Sequence, residues 1–201
     1  MEIEKIELNK NITIHRAKYD WKHPKESLIG KVKQNLSYVG LSDLTTSPLL
    51  LQSKEINHLK DYTRNIALKI LGITQPKNWI EKHWIYASDR RTDLIHGTAP
   101  IFHNHRIAVD NFNTSPILTT ISYCTYLNVP FDLKSDEGRL EFKDKDGEIV
   151  SILPRTGEIL FFSPIYLHKP NFIKNSKAER IAICSNLTVD LKELSTTNAL
   201  L

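Results

Sequence analysis

A succession of short strand-like runs, from residue 79 to about residue 190, constrains the fold of this chain more than any other feature. The runs are rich in β-branched and aromatic residues, and turns containing Gly, Pro or Asp separate them. They cover residues 79–88, 94–109, 117–129, 138–142, 148–153, 158–162 and 180–189. Short strands joined by such turns predict a mainly β fold, either a sandwich or a barrel.

The first 46 residues are less regular. Apolar and polar residues alternate in 1–16, which predicts one or two edge strands that extend a sheet. The stretch 17–46 has mixed polarity with Pro and Gly as punctuation, and we expect mainly loop with short elements there.

An amphipathic helix is predicted from 48 to 71, because apolar residues recur there at intervals of three and four. Ser47 or Ser53 could cap its first turn with a side-chain oxygen. Gly72 stands where a helix commonly ends in a left-handed residue.

Composition limits the classes of protein to which the chain can belong. With 201 residues, of which 40% are hydrophobic and 25% charged, we expect one globular domain, 1–201, with a β core at about 79–190. The net charge is only +4 and the basic residues are scattered, so a nucleic-acid partner is not expected. The N-terminus lacks a signal-peptide pattern, and no apolar run approaches the roughly 20 residues that cross a bilayer. We therefore expect a cytoplasmic protein without a membrane partner.

Two histidines, His103 and His105, are separated by one residue within a strand-like run. Side chains alternate along a strand, so both imidazoles should project from the same face. A third histidine, His168, ends the apolar run that begins at residue 159. Neutral imidazole suits iron, zinc and copper, and three ligands on one side of a metal leave the other side open. The hypothesis is an open, catalytic metal site.

Further motifs accompany the three histidines along the chain. Together they are His-x-His at 103–105, Tyr126-Leu127-Asn128, Gly138-Arg139-Leu140-Glu141-Phe142, Pro154-x-x-Gly157-x-x-x-Phe161, His168 and Arg180-Ile181-Ala182-Ile183. In this order and at these intervals, the motifs resemble those of the iron(II)- and 2-oxoglutarate-dependent dioxygenases. The resemblance is closest to the prolyl-hydroxylase-like and the phage or bacterial 2-oxoglutarate oxygenase branches, and it covers roughly residues 84 to 189. It implies a double-stranded β-helix, which is a cupin-like jelly roll, with N-terminal helices packed outside.

The resemblance also implies a role for four residues. His103, His105 and His168 would bind Fe(II), and Arg180 would pair with the far carboxylate of 2-oxoglutarate. A guanidinium offers a planar fork that matches a carboxylate, although a surface ion pair with Glu179 is the alternative interpretation. The family often has Ser or Thr two residues after this arginine, where this chain has Ala, so that contact must come from elsewhere or be absent.

His105 departs from the family pattern, because the family normally has Asp or Glu at this position. Imidazole is neutral, so three histidines would leave the iron more electropositive than two histidines and a carboxylate. Asp110 is the nearest acid. On an unbroken strand it would face away from the histidine pair, but a β-bulge could reverse its direction. A set of one of these histidines with Asp110 and His168 is therefore the alternative.

Two further pairs of residues have an unremarkable interpretation as well as a functional one. Cys124 and Cys184 each lie inside an apolar run, and we expect buried free thiols rather than a disulfide. Tyr123 and Tyr126 could donate phenolic hydrogen bonds to 2-oxoglutarate, but aromatic residues in such strands more often belong to the core.

The function predicted from these observations is an oxygenase of the hydroxylase type that acts on a peptide side chain or a small molecule. One alternative is a cupin-like metalloenzyme that uses three histidines without 2-oxoglutarate. Another is a non-catalytic jelly-roll binding module. The sequence does not identify the substrate, since the loops outside the barrel select it.

Overall fold

The computed structural model describes most of the strand-rich part of the chain and two helices. No described helix is both long and apolar enough to cross a membrane. The described residues are 2–21, 25–39, 53–74, 76, 78–88, 101–105, 120–173 and 179–189, without the side chains of 33–39 and 87–88.

Nine strands and two helices lie within these ranges. All neighbouring strands pair antiparallel. In chain order the elements are β1 (Ile3–Asn9), β2 (Ile12–Lys18), α1 (Lys25–Val39), α2 (Lys54–Ile70), β3 (Trp79–Ser88), β4 (Ile121–Asn128), β5 (Leu140–Lys143), β6 (Ile149–Ile152), β7 (Glu158–Phe162), β8 (Leu167–Pro170) and β9 (Arg180–Val189).

The strands form one large and one small sheet. The large sheet has the order β1-β2-β7-β4-β9-β3, and the small sheet has the order β6-β5-β8. As predicted, β1 is an edge strand, whereas β2 pairs with β1 on one side and β7 on the other.

Two hydrophobic cores cover the two faces of the large sheet. On β9, Ala182 and Cys184 belong to the core that the large and small sheets share. Ile181 and Ile183 belong to the other core, which contains the apolar residues of α1 and α2. This assignment follows the period-2 alternation of strand side chains. The mainly β jelly-roll fold with helices outside, as predicted from the sequence, is confirmed.

The predicted helix is α2, which begins at Lys54. The Ser53 side chain accepts a hydrogen bond from the Ile56 backbone N–H at 3.2 Å, as an N-cap should. Gly72 follows the helix with φ of 70°, a left-handed conformation that glycine adopts without strain. The predicted residues 48–52 and the alternative cap Ser47 lie outside the described residues.

The expectation of mainly loop at 17–46 is wrong for 25–39, which form α1. Leu28 and Val32 are buried one helical turn apart against the helix-side core. In the sequence Leu36 continues this spacing of four, so the apolar period of a helix was present. Gly30 lies inside the helix, and glycine is a poor helix former, which weakened the signal.

Candidate metal centre

The three predicted ligand histidines lie together although they come from different segments. The extended segment 101–105 pairs with β8, because His103 and His168 exchange backbone hydrogen bonds of 3.0 and 2.9 Å. The His105 N–H donates to the Pro164 carbonyl at 2.9 Å, which fixes the second histidine of the pair. One possible ligand atom from each of the three side chains lies within 4.8 Å of the others.

β8 is the element that brings His168 into this cluster. The sequence pattern had placed residues 159–168 in a single run, but a turn at 163–166 separates β7 from β8. β7 belongs to the large sheet and β8 to the small sheet. The break therefore places the distal histidine on the opposite wall of the barrel from β7.

Backbone carbonyl groups fix the orientation of two imidazoles. The His103 Nδ1 atom lies 3.0 Å from the Ile101 carbonyl oxygen. The His168 Nδ1 atom lies 3.0 Å from the Tyr166 carbonyl oxygen. A carbonyl oxygen only accepts hydrogen bonds, so each Nδ1 carries the proton and each Nε2 keeps a lone pair. Such second contacts are what metal-binding histidines typically make.

Aromatic rings pack against His168 and His105, whereas His103 is exposed. The His168 ring centroid lies 4.7 Å from that of Phe162 and 6.1 Å from that of Phe142. The Trp84 ring lies 5.2 Å from the His105 ring. Burial, with a smaller contribution from the neighbouring imidazoles, lowers the pKa of His168 to about 3 and that of His105 to about 4. Both rings are neutral at pH 7, which is the form that binds a metal.

The cluster fits a metal of the iron, nickel or zinc type, since its donors are imidazole nitrogens with free lone pairs. Among the residues that the structure describes, no Asp or Glu joins the group. Asp110, the alternative carboxylate ligand, lies outside the described residues. The three-histidine set and the alternative set that includes Asp110 therefore both stay predictions.

Arg180 opens β9 on the face that points into the barrel. Its side chain is only 2% exposed. The guanidinium donates to the Asn171 carbonyl oxygen at 3.1 Å and lies over the Tyr86 ring, 5.2 Å from its centroid. A residue that served only in a surface ion pair would not be buried to this extent.

Two tyrosines flank Ala182, which stands where the oxygenases that the sequence resembles often have Ser or Thr. Ala182 pairs with Tyr86 on β3 and with Tyr126 on β4. Burial raises the pKa of Tyr126 well above its usual range, and the nearby charge of Arg180 opposes that shift. The neighbourhood of Arg180 thus contains phenol groups, although Ala182, two residues further along its own strand, supplies no hydroxyl.

Sequence reasoning missed Tyr86 and gave no position for Tyr126 relative to the site. The alternation of Trp84 and Tyr86 along one strand was visible, but it did not reveal which face is inside. Tyr123, the other tyrosine considered, faces the helices, and its hydroxyl donates to Glu81. Tyr123 is therefore a core residue, as expected.

Cys124 and Cys184 are free thiols, and both are buried as predicted. They are register partners on β4 and β9, with their Sγ atoms 3.4 Å apart. The hydrogen bond to the Cys184 thiol, together with burial, raises the pKa of Cys124. A neutral thiol is a poor nucleophile, so this pair forms part of the barrel wall.

Comparisons with known proteins agree with this architecture. No family model matches the sequence, and no curated protein matches it. Among solved structures, the chain is similar to a prolyl-4-hydroxylase from Pseudomonas putida, with 13% identity and a TM-score of 0.52. That match covers 87% of this chain and 92% of the hydroxylase.

Two further structures extend the comparison. SnoK, a non-heme alpha-ketoglutarate-dependent carbocyclase from nogalamycin biosynthesis, has 12% identity and a TM-score of 0.61, covering 87% of this chain and 79% of SnoK. HygX from Streptomyces hygroscopicus, solved with nickel and 2-oxoglutarate bound, has 10% identity and a TM-score of 0.51. That match covers 88% of this chain and 81% of HygX. At these identities the likeness establishes the fold. The chain has the fold of 2-oxoglutarate-dependent oxygenases.

Proposed function

We propose that this protein is an iron(II)- and 2-oxoglutarate-dependent oxygenase that hydroxylates a peptide side chain or a small molecule. The observation that carries the proposal is the pairing of a three-imidazole cluster with a buried arginine inside one barrel. The fold supports it, because proteins of that fold include enzymes that use 2-oxoglutarate and a structure that holds it together with nickel. Fold alone does not fix function, so the proposal depends on the residues of the site.

The metal would be held by His103, His105 and His168. The carbonyl groups of Ile101 and Tyr166 keep two of the rings in the tautomer that presents Nε2. When bound, iron and 2-oxoglutarate would together supply the electrons that reduce and so activate oxygen, with 2-oxoglutarate oxidised to succinate and carbon dioxide. The protein contributes the ligands and their orientation.

Arg180 would bind the distal carboxylate of 2-oxoglutarate through its planar fork. The Asn171 carbonyl and the Tyr86 ring hold the guanidinium in place. On β3, Trp84 contacts His105, and Tyr86, two residues further on the same face, contacts Arg180. Two residues of strand span about 6–7 Å, which is close to the length of a five-carbon diacid.

The Tyr86 and Tyr126 hydroxyls are the groups closest in register to the position where the family usually has Ser or Thr. A phenol that donates to the carboxylate would replace the missing hydroxyl of that position. Tyr126 stays protonated at neutral pH, because its pKa is raised by burial. It can therefore serve as a donor.

A second candidate is a three-histidine metalloenzyme that does not use 2-oxoglutarate. It is favoured by the all-imidazole donor set and the absence of a carboxylate from this cluster in the described part of the chain. The buried arginine favours the oxygenase, since a metal that acts alone has no need of a carboxylate-binding cation inside the barrel. A non-catalytic binding module would need neither group.

The test is to purify the protein without oxygen, add Fe(II), and titrate 2-oxoglutarate by calorimetry before measuring succinate release in air. We expect 2-oxoglutarate to bind only when metal is present, and succinate to form slowly even without substrate. Metal binding without any 2-oxoglutarate binding would favour the second candidate. Absence of both would favour the binding module.

The predictions of a single domain at 1–201 and of a cytoplasmic location stay predictions.

A further inference from the structure

Three aromatic rings line a concave site at the end of β2. The site has a volume of about 470 Å³, and its lining consists of Tyr19, Trp21 and Tyr62 with the charged residues Glu2, Lys18 and Asp20. The aromatic residues belong to the helix-side core or pack against it. The candidate metal centre contacts phenylalanines of the other core, so the large sheet lies between the two sites.

Two of the rings stand nearly perpendicular to the third. The Tyr19 ring centroid lies 4.9 Å from that of Trp21, with an interplanar angle of 82°. It lies 5.1 Å from that of Tyr62, with an angle of 81°. Tyr19 is only 4% exposed, whereas Trp21 and Tyr62 are half-buried. Tyr19 therefore forms the floor of the site, and the other two rings form its walls.

Hydrogen bonds within the protein hold both tyrosines in place. The Tyr62 hydroxyl donates to the Lys18 carbonyl oxygen at 2.9 Å and accepts from the Asp20 backbone N–H. The Tyr19 hydroxyl lies 2.8 Å from the His58 Nδ1 atom. The polar ends of both side chains are thus satisfied by the protein, and what they offer to a ligand is the ring surface.

Trp21 is held by its contact with a glycine. Gly157 has φ of 85°, and a Cβ atom there would lie 3.1 Å from the Trp21 Nε1 atom. The Gly157 carbonyl oxygen accepts from the Tyr19 backbone N–H at 2.8 Å. The same turn therefore positions the floor and one wall, so the site is formed before any ligand enters.

The edge of the site carries a net negative charge. Glu2, Lys18 and Asp20 are all exposed there, and one ammonium against two carboxylates gives a net charge of −1. Among the described residues, none forms an ion pair with Glu2 or Asp20. Burial, the neighbouring phenol and the Asp20 charge raise the pKa of Tyr19 to about 12, so this phenol is neutral at pH 7.

We infer that this site binds an organic cation, namely an ammonium group that carries alkyl substituents. The face of an aromatic ring is negative and attracts a cation, and the carboxylates at the edge complement the same charge. Alkyl substituents pack against the rings and weaken hydration of the nitrogen, which a bare ammonium would have to give up on entry. An anion would meet ring faces and carboxylates. The inference goes beyond the proposed function and needs neither metal nor 2-oxoglutarate.

The experiment titrates the full chain with choline and follows binding by ligand-observed NMR, with and without Fe(II). Two further probes separate charge from shape. The neutral carbon isostere of choline has a tert-butyl group in place of the trimethylammonium group, and ethanolamine has the charge without the methyl groups. We expect choline to bind equally in both conditions and each of the other probes to bind at least about ten-fold more weakly.

Variants of the lining residues test the same site. Trp21→Leu should weaken choline binding by about three-fold to thirty-fold, and Trp21→Phe should restore most of the affinity, since it keeps a ring. Asp20→Asn should weaken binding and Lys18→Met should strengthen it, each by about two-fold to five-fold, because these exposed charges act with opposite sign. Trp79→Leu removes a partly exposed tryptophan outside the site and is the matched control. Circular dichroism checks the fold of each variant.

A trimethylammonium group occurs on free metabolites and on methylated lysine side chains. A short peptide with trimethyllysine is therefore titrated beside choline. More than ten-fold tighter binding of the peptide assigns the ligand to a protein, and any other ratio assigns it to a free molecule.

Three results would overturn the inference. They are no binding of either choline or the peptide, equal binding of choline and its neutral isostere, and unchanged choline affinity in Trp21→Leu. The metal-dependent binding of 2-oxoglutarate is measured separately on the same protein. Because choline binding requires no metal, its failure leaves the oxygenase assignment intact, and loss of 2-oxoglutarate binding leaves the cation site intact.

Discussion

His103 and His168 form a hydrogen-bonded antiparallel pair, with N–H to carbonyl distances of 3.0 and 2.9 Å. Directly paired residues in antiparallel strands point their side chains to the same face. Their ring centroids accordingly lie 4.6 Å apart. The backbone pairing therefore sets the geometry of the candidate metal centre before any metal binds.

Removal of the distal histidine should abolish metal retention. His168→Ala leaves two imidazoles, and we expect a loss of Fe(II) affinity that exceeds the roughly 10–100-fold cost of disturbing an outer-shell contact. Elemental analysis and a ferrous titration measure it, and circular dichroism checks the fold. His15→Ala, on β2, is the control and should retain the metal. Unchanged metal content in His168→Ala would show that the ligand assignment is wrong.

Truncation of the buried arginine should weaken 2-oxoglutarate binding. Arg180→Ala removes one partner of a buried charge pair, which costs about 2–5 kcal/mol. Arg180→Lys keeps the charge without the planar fork and should lose less. Titration calorimetry of the metal-loaded protein measures both, with Arg155→Ala in the exposed turn before β7 as the control. Equal affinity in all variants would contradict the role of Arg180.

Substitution at position 105 separates the two possible ligand sets. His105→Asp should keep metal binding, since carboxylate also ligates ferrous iron, and succinate release should survive or rise. With three histidine ligands, Asp110→Ala should leave Fe(II) affinity within about three-fold of the wild type, a difference below 1 kcal/mol. Ferrous affinity and succinate release are measured for both variants. Loss of metal in Asp110→Ala, together with normal affinity in His105→Ala, would establish the carboxylate set instead.

The contact between α1 and α2 should be sensitive to acid. The Lys31 ammonium lies 2.6 Å from the Glu55 carboxylate and, with the Glu55 backbone N–H and the Ser53 hydroxyl, lowers the pKa of Glu55 to about 2. Because the folded-state pKa lies below the ordinary value of 4.5, this contribution is present above pH 4.5. It is lost as the pH falls from 4.5 to 2.

Glu55→Gln should therefore lower the free energy of unfolding at pH 6, and the difference from the wild type should shrink as the pH falls from 4.5 towards 2. Urea unfolding at several pH values measures this difference. Glu26→Gln, in the exposed first turn of α1, should show a smaller dependence. A constant difference between wild type and Glu55→Gln across this range would contradict the assigned contact.

The sequence by itself determined the strand-rich core, the helix α2 with its Ser53 cap and Gly72 end, and the burial of the two thiols. Each of these depends on local information, because side-chain period, capping chemistry and the conformational freedom of glycine act within a few residues. The spacing of the histidines and Arg180 also carried the resemblance to the oxygenases, whose fold the structure shares.

Only the tertiary structure decided which face of each strand is inside. All ten residues of β9 are buried, since the helices cover one face and the small sheet covers the other. Burial on both faces removes the alternation that would show the inner face in a half-exposed strand. The positions of Tyr86 beside Arg180 and of His168 opposite His103 follow from strand pairing between distant segments. Local sequence pattern does not contain that information.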